Sequence, residues 1–239
     1  MTVDAFLLVT IYLLVQLLAN RLISSSKIGR FKWLSFSGGV AVSYVFVYIL
    51  PSMHREQEDF PGDMGLTMES EMYVLGLGGL LIFYGVHKAA ERASRNHSQG
   101  EGQFFWIQMI FFTMYNMLVS YIVFASSIEG ARALFYGTAV GLHFMAVSHD
   151  LWREDSKRYE SVGRFMLAAG IFGGWLIGVF APLPEQVLAI VFAFISGAMI
   201  LNVLKKELPS EENAHFKTFL LGSLGYTFLT LSLKYFFDW

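Results

Sequence analysis

The chain has 239 residues, 55% of them apolar and 15% charged, with 23 Phe and no Cys. A soluble domain carries roughly 25% charged residues and could not hide this much apolar surface in one core, so the working solvent is a bilayer. With 17 basic against 19 acidic residues, nucleic acid is excluded as a partner. The lack of Cys excludes disulfides, thiolate metal sites and thiol nucleophiles.

A spanning helix needs about 20 mostly apolar residues. Eight stretches qualify: residues 5–23, 33–53, 72–90, 104–126, 131–151, 162–182, 187–204 and 216–237. The connections are short, so the expectation is a single all-α transmembrane domain. The first stretch lacks a basic leader and is long for a signal sequence, so it is read as a retained span.

Lys and Arg set the orientation. With the N-terminus outside, the inner loops and span ends hold 14 basic residues, from Arg21, Lys27, Arg30 and Lys32 to Lys205, Lys206 and Lys217. The outer side holds three: Arg55, Arg132 and Lys234. This asymmetry predicts both termini outside a cell membrane. Between residues 54 and 71 the first outer loop carries Glu56, Glu58, Asp59, Asp63, Glu69 and Glu71. Such a run either concentrates cations at an outer mouth or is a solvated face.

The second and seventh spans share a pattern. Gly39, Val45, Leu50, Pro51 and Ser52 recur as Gly197, Val203, Leu208, Pro209 and Ser210, always 158 residues later. The two copies lie five spans apart and therefore cross in opposite directions. The match reads either as an inverted repeat, a common build of secondary transporters, or as two helices that both end at Pro. Glycine-rich faces on the third span (Gly76, Gly78, Gly79, Gly85) and the sixth (Gly170, Gly173, Gly174, Gly178) suit internal packing or a homodimer.

Polar side chains at membrane depth are costly and mark candidate sites. Asn116 in the fourth span and His143 in the fifth lie at similar central depth. Thr113, Asn116 and Ser120 share a helix face, as do His143 and Asp150, and His149 and Asp150 approach the inner surface. This constellation either ligates a metal or holds two helices together. No paired carboxylates, activated serine or thiol suggest an enzyme.

With these features the chain resembles the ZIP (Zrt/Irt-like) metal transporter family. Residues 37–51 look like that family's second span and residues 194–209 like its seventh. The resemblance implies eight helices in a 3+2+3 arrangement with inverted outer triplets (helices 1–3 and 6–8), and a metal path between helices 4 and 5. Its His-Asn-x-x-Asp/Glu-Gly motif falls on residues 115–120, where Asn116 is kept but Tyr115, Val119 and Ser120 replace the rest. Its His-Glu-x-Pro-His/Glu-Glu motif keeps only His143 of residues 143–148. Tyr48, Ser52 and Lys206 stand where the family often has His, Glu and a carboxylate. The resemblance implies metal ligands at His143 and Asn116, with Thr113, Ser120 and Tyr115 on the substrate path; His149 and Asp150, which match none of its motifs, offer an inner-side site. It implies a divalent cation (Zn, Mn or Fe) as substrate rather than as resident cofactor. The alternative is a non-transporting ZIP-fold paralogue acting as sensor, regulator or structural partner. On this reading the membrane centre is nearly free of carboxylates.

Overall fold

The computed structural model describes residues 3–22, 27–59, 70–96, 100–125, 130–181, 183–208 and 215–237. These form eight continuous helices. They are α1 (Val3–Leu22), α2 (Lys27–Tyr44, passing through a π segment Val45–Ile49 into Leu50–Asp59), α3 (Glu71–Asn96) and α4 (Gly100–Ala125). Then come α5 (Gly130–Glu154), α6 (Ser156–Arg158, a π segment Tyr159–Gly163, then Arg164–Phe180), α7 (Glu185–Asn202 with a terminal π segment Val203–Glu207) and α8 (Phe216–Phe237). Each predicted span overlaps one of these helices, and several helices run past the predicted ends; span residues 23, 126 and 182 lie outside the described residues. Asp63 and Glu69 of the acidic run, with Pro209 and Ser210 of the repeat, lie outside the described residues.

Five segments are long and apolar enough to cross a membrane: Phe31–Glu58, Glu71–Ala89, Phe105–Ala125, Ser156–Phe180 and Glu185–Glu207. The chain is thus an all-helical membrane protein among its described residues. Asp4–Ala19 of α1 is apolar but shorter. The sequence reading expected eight spans; α1, α5 and α8 fall outside these five among the described residues, and for α5 burial supplies a reason. Every residue from 139 to 149 is buried. A helix surrounded by other helices need not present a lipid-compatible surface, so its composition can be more polar. The outer helices do the opposite: Phe6, Leu7, Ile11 and Leu14 of α1, Leu77 and Leu81 of α3, and Leu221, Leu224 and Phe228 of α8 are exposed apolar residues.

The most extensive pairings are α4 with α6, α2 with α8, α3 with α7 and α1 with α5. Exchanging α1 with α6, α2 with α7, α3 with α8 and α4 with α5 maps this set onto itself. Glycine permits the close approaches. A Cβ on Gly197 would overlap the Gly76 carbonyl, one on Gly79 the Phe194 carbonyl, one on Gly39 the Phe219 carbonyl and one on Gly222 the Phe36 carbonyl. In α6, Gly170 and Gly174 press on the Thr113 and Met117 carbonyls of α4. These glycines serve internal packing, whereas Gly78 and Gly85 face open space. At the start of α5, Gly130 takes φ +61°, and its N–H donates to Asp4 Oδ2 at 2.7 Å. The left-handed conformation suits glycine there.

The π segments follow the spacing seen in the sequence. Val45–Ile49 and Val203–Glu207 lie 158 residues apart, the same offset that relates the two Leu-Pro-Ser ends. A π segment inserts extra backbone and rotates everything after it.

A Gly197→Ala substitution should lower stability in detergent by about 1–3 kcal/mol, because the overlap is with backbone that cannot yield. Gly78→Ala should leave it unchanged or slightly raise it. Thermal unfolding of the two variants against the parent checks this; equal midpoints for Gly197→Ala and the parent would contradict the α3–α7 contact.

Candidate functional site

α5 carries the site because it is the helix enclosed by the others. His143 is 2% exposed. Its Nδ1 shares a hydrogen bond with Glu207 Oε1 of α7. Asn202, also on α7, donates from Nδ2 to the same carboxylate oxygen at 3.2 Å. The Tyr115 ring of α4 stands edge-on to the His143 imidazole, with centroids 5.7 Å apart. Around this group, among the described residues, the His143 Nε2, Glu207 Oε2 and Asn202 Oδ1 atoms are buried without a hydrogen-bond partner.

The π segment explains how Glu207 reaches this point. In an α-helix, residues five apart are turned about 140° from each other. In a π turn the i and i+5 residues stack. Asn202 and Glu207 are five apart, and the π turn at Val203–Glu207 brings both onto the face toward α5. The preceding lysines point elsewhere: Lys205 Nζ lies 5.6 Å from the Tyr84 ring centroid and Lys206 Nζ 5.6 Å from that of Phe112. The expectation of a nearly carboxylate-free interior is therefore corrected. Glu207 was placed beyond the end of the seventh span, because an α-helical reading stops at the Lys205-Lys206 pair.

A second polar cluster lies beside the first. Gln16 of α1 is 1% exposed. Its Nε2 donates to Ser148 Oγ of α5 at 2.5 Å and to the Tyr159 hydroxyl of α6 at 3.2 Å. Its Oε1 accepts from Asn116 Nδ2 of α4 at 3.3 Å. One amide thus ties four helices together. Sequence reasoning missed Gln16, although an amide inside the apolar run 5–19 is a visible signal by the same rule that singled out Asn116.

The other residues singled out from sequence separate into groups. Asn116 and His143 are both buried, but their hydrogen-bond partners differ: Gln16 for one and Glu207 for the other. Thr113 donates to its own helix at Met109 O, 2.7 Å away, and backs onto Gly170 of α6. Ser120 is fully buried, and its Oγ has no hydrogen-bond partner among the described residues. His149 is buried and stacks on Trp152 with centroids 5.7 Å apart. Asp150 is only partly buried. Among the described residues, no three His, Asp or Glu side chains converge as a metal-ligand group. The strongest donor set is the mixed one of His143, Glu207 and Asn202.

Further along the same face of α4 as Tyr115, the surroundings are mostly apolar. Tyr44 and Ile49 of α2, Val119 and Ile122 of α4, and Phe192, Ile195, Ser196 and Met199 of α7 line a gap of about 10 Å³, too small to admit water readily. Ile49 stands 158 residues before Glu207, so the same π-segment position is apolar in α2 and acidic in α7.

Residues 87–152 match a family described as "Protein of unknown function (DUF3270)". That segment spans the end of α3, all of α4 and most of α5, including Tyr115, Asn116, His143 and His149. No curated protein matches the chain.

Replacing Gln16 by Leu leaves the Asn116 amide, the Ser148 hydroxyl and the Tyr159 hydroxyl each short of a partner, and should destabilise by about 1–3 kcal/mol. Thr113→Val should cost less than about 0.5 kcal/mol, because that hydroxyl serves only its own helix. Detergent unfolding curves of both variants decide; a larger loss for Thr113→Val than for Gln16→Leu would contradict the assignment of Gln16 as the tie.

Proposed function

We propose that this chain is a membrane transporter of ZIP-like layout whose substrate is a divalent cation of the Zn, Mn or Fe class. The cation would pass the His143, Glu207 and Asn202 group. The observation that carries this reading is the buried His143–Glu207 pair with unpartnered lone-pair atoms around it. Imidazole nitrogen with carboxylate and amide oxygens suits first-row divalent metals. A single carboxylate offsets only part of a divalent charge. The binding is therefore weak, and a transport site must be weak enough to release its ion.

The layout is supported by three features that agree. The Leu-Pro-Ser ends and the π segments Val45–Ile49 and Val203–Glu207 relate α2 to α7, and the exchangeable helix pairings extend that relation to α1–α3 and α6–α8, with α4 and α5 between. On this reading the triplets are inverted repeats, both termini lie outside, and the basic helix ends face inward. Tyr44, Ile49, Val119 and Ile122 then form the apolar outer closure. The absence of a three-ligand cluster among the described residues favours a second reading, a non-transporting ZIP-fold protein in which His143–Glu207 is a structural tie.

Purified protein in liposomes should take up at least one of Zn²⁺, Mn²⁺ or Fe²⁺. His143→Ala and Glu207→Gln should each reduce that uptake roughly 10–100-fold while eluting as folded protein. Parent-like uptake in both variants would remove the site from the path. No flux by the parent protein across the panel would favour the second reading.

A further inference from the structure

A cavity of about 220 Å³ opens between α1 and α6, away from the His143 group. Its lining includes Gln16, Leu17, Arg21, Tyr159, Glu160 and Arg164. Arg21 and Arg164 carry two positive charges against one carboxylate. One oxygen of that carboxylate is engaged elsewhere, as Glu160 Oε1 accepts from Trp152 Nε1 at 3.0 Å. The Arg164 Nε is buried with no hydrogen-bond partner among the described residues, and its guanidinium is fixed 4.7 Å from the Phe165 ring centroid. A buried, fixed N–H donor without an acceptor is expensive and points to an absent one. The inner surface of the cavity is polar too, because Gln16 and Tyr159 reach it.

We propose that this cavity binds a phosphate monoanion, supplied by the headgroup of an anionic phospholipid. Arginine suits phosphate because its planar donors pair with two oxygens at once. Basic pockets between membrane helices are sites of this kind. Arg21 lies near the end of α1 (Val3–Leu22), where headgroups sit, and Gln16 lies about 7.5 Å further along the helix. The space accepts a phosphate and glycerol while the acyl chains stay on the apolar outer face, beside the exposed Leu14 and Leu18. The site is independent of whether the protein transports a metal.

The test uses the full chain in two arms. Native mass spectrometry from nanodiscs containing equal phosphatidylglycerol and phosphatidylcholine should show phosphatidylglycerol retained, with retention falling roughly tenfold in Arg21→Gln/Arg164→Gln. Leu17→Trp keeps both charges, fills the cavity and should show the same loss, so a folding defect in the double variant leaves the claim testable. In lipid-free micelles, inorganic phosphate should stabilise the parent little; strong stabilisation lost in both variants would make the source soluble phosphate and overturn the lipid assignment. Equal retention of the two lipids, or retention unchanged in both variants, would overturn the site itself.

Discussion

A carboxylate enclosed by helices in a bilayer must either lose its charge or be held by a partner, and Glu207 is held by His143. Neither side chain could sit at that depth alone. α7 needs a π turn to present Glu207, and α5 must be enclosed on all sides to present His143. Asn202 adds a second donor to the same oxygen. The placement of α5, the length of α7 and the close glycine contacts of α3 with α7 all follow from keeping this pair together and away from lipid.

The rest of the interior divides by chemistry. Gln16 gathers α1, α4, α5 and α6 around one amide, a tie entirely inside that set of helices. The Glu207–His143 bond instead joins α7 to α5. Between α2 and α4 the corresponding position is apolar, with Ile49 where α7 has Glu207. The π segments of α2 and α7 share a position but not a side chain: a common backbone device carries polar chemistry on one copy only.

Much of the fold was legible in the sequence, because helices in a bilayer are written in apolar runs about 20 residues long. The 158-residue offset was visible from the Leu-Pro-Ser ends, and the π segments carry the same offset. His143 and Asn116 stood out as polar residues at depth, and both are buried. Glu207 was hidden by the assumption of 3.6 residues per turn: beyond two lysines and 140° from Asn202, it reads as a solvated helix end. Gln16 was legible but overlooked, a single amide in a run of leucines. The separation of Thr113 from Asn116 was not legible, since two residues on one broad face can still meet different neighbouring helices.

The π turn of α7 draws Glu207 into contact with His143. A double-mutant cycle of His143→Ala and Glu207→Ala, read as unfolding free energy in detergent, measures that contact. A coupling of about 1 kcal/mol or more between the two positions is expected. Additive effects within about 0.3–0.5 kcal/mol would contradict it.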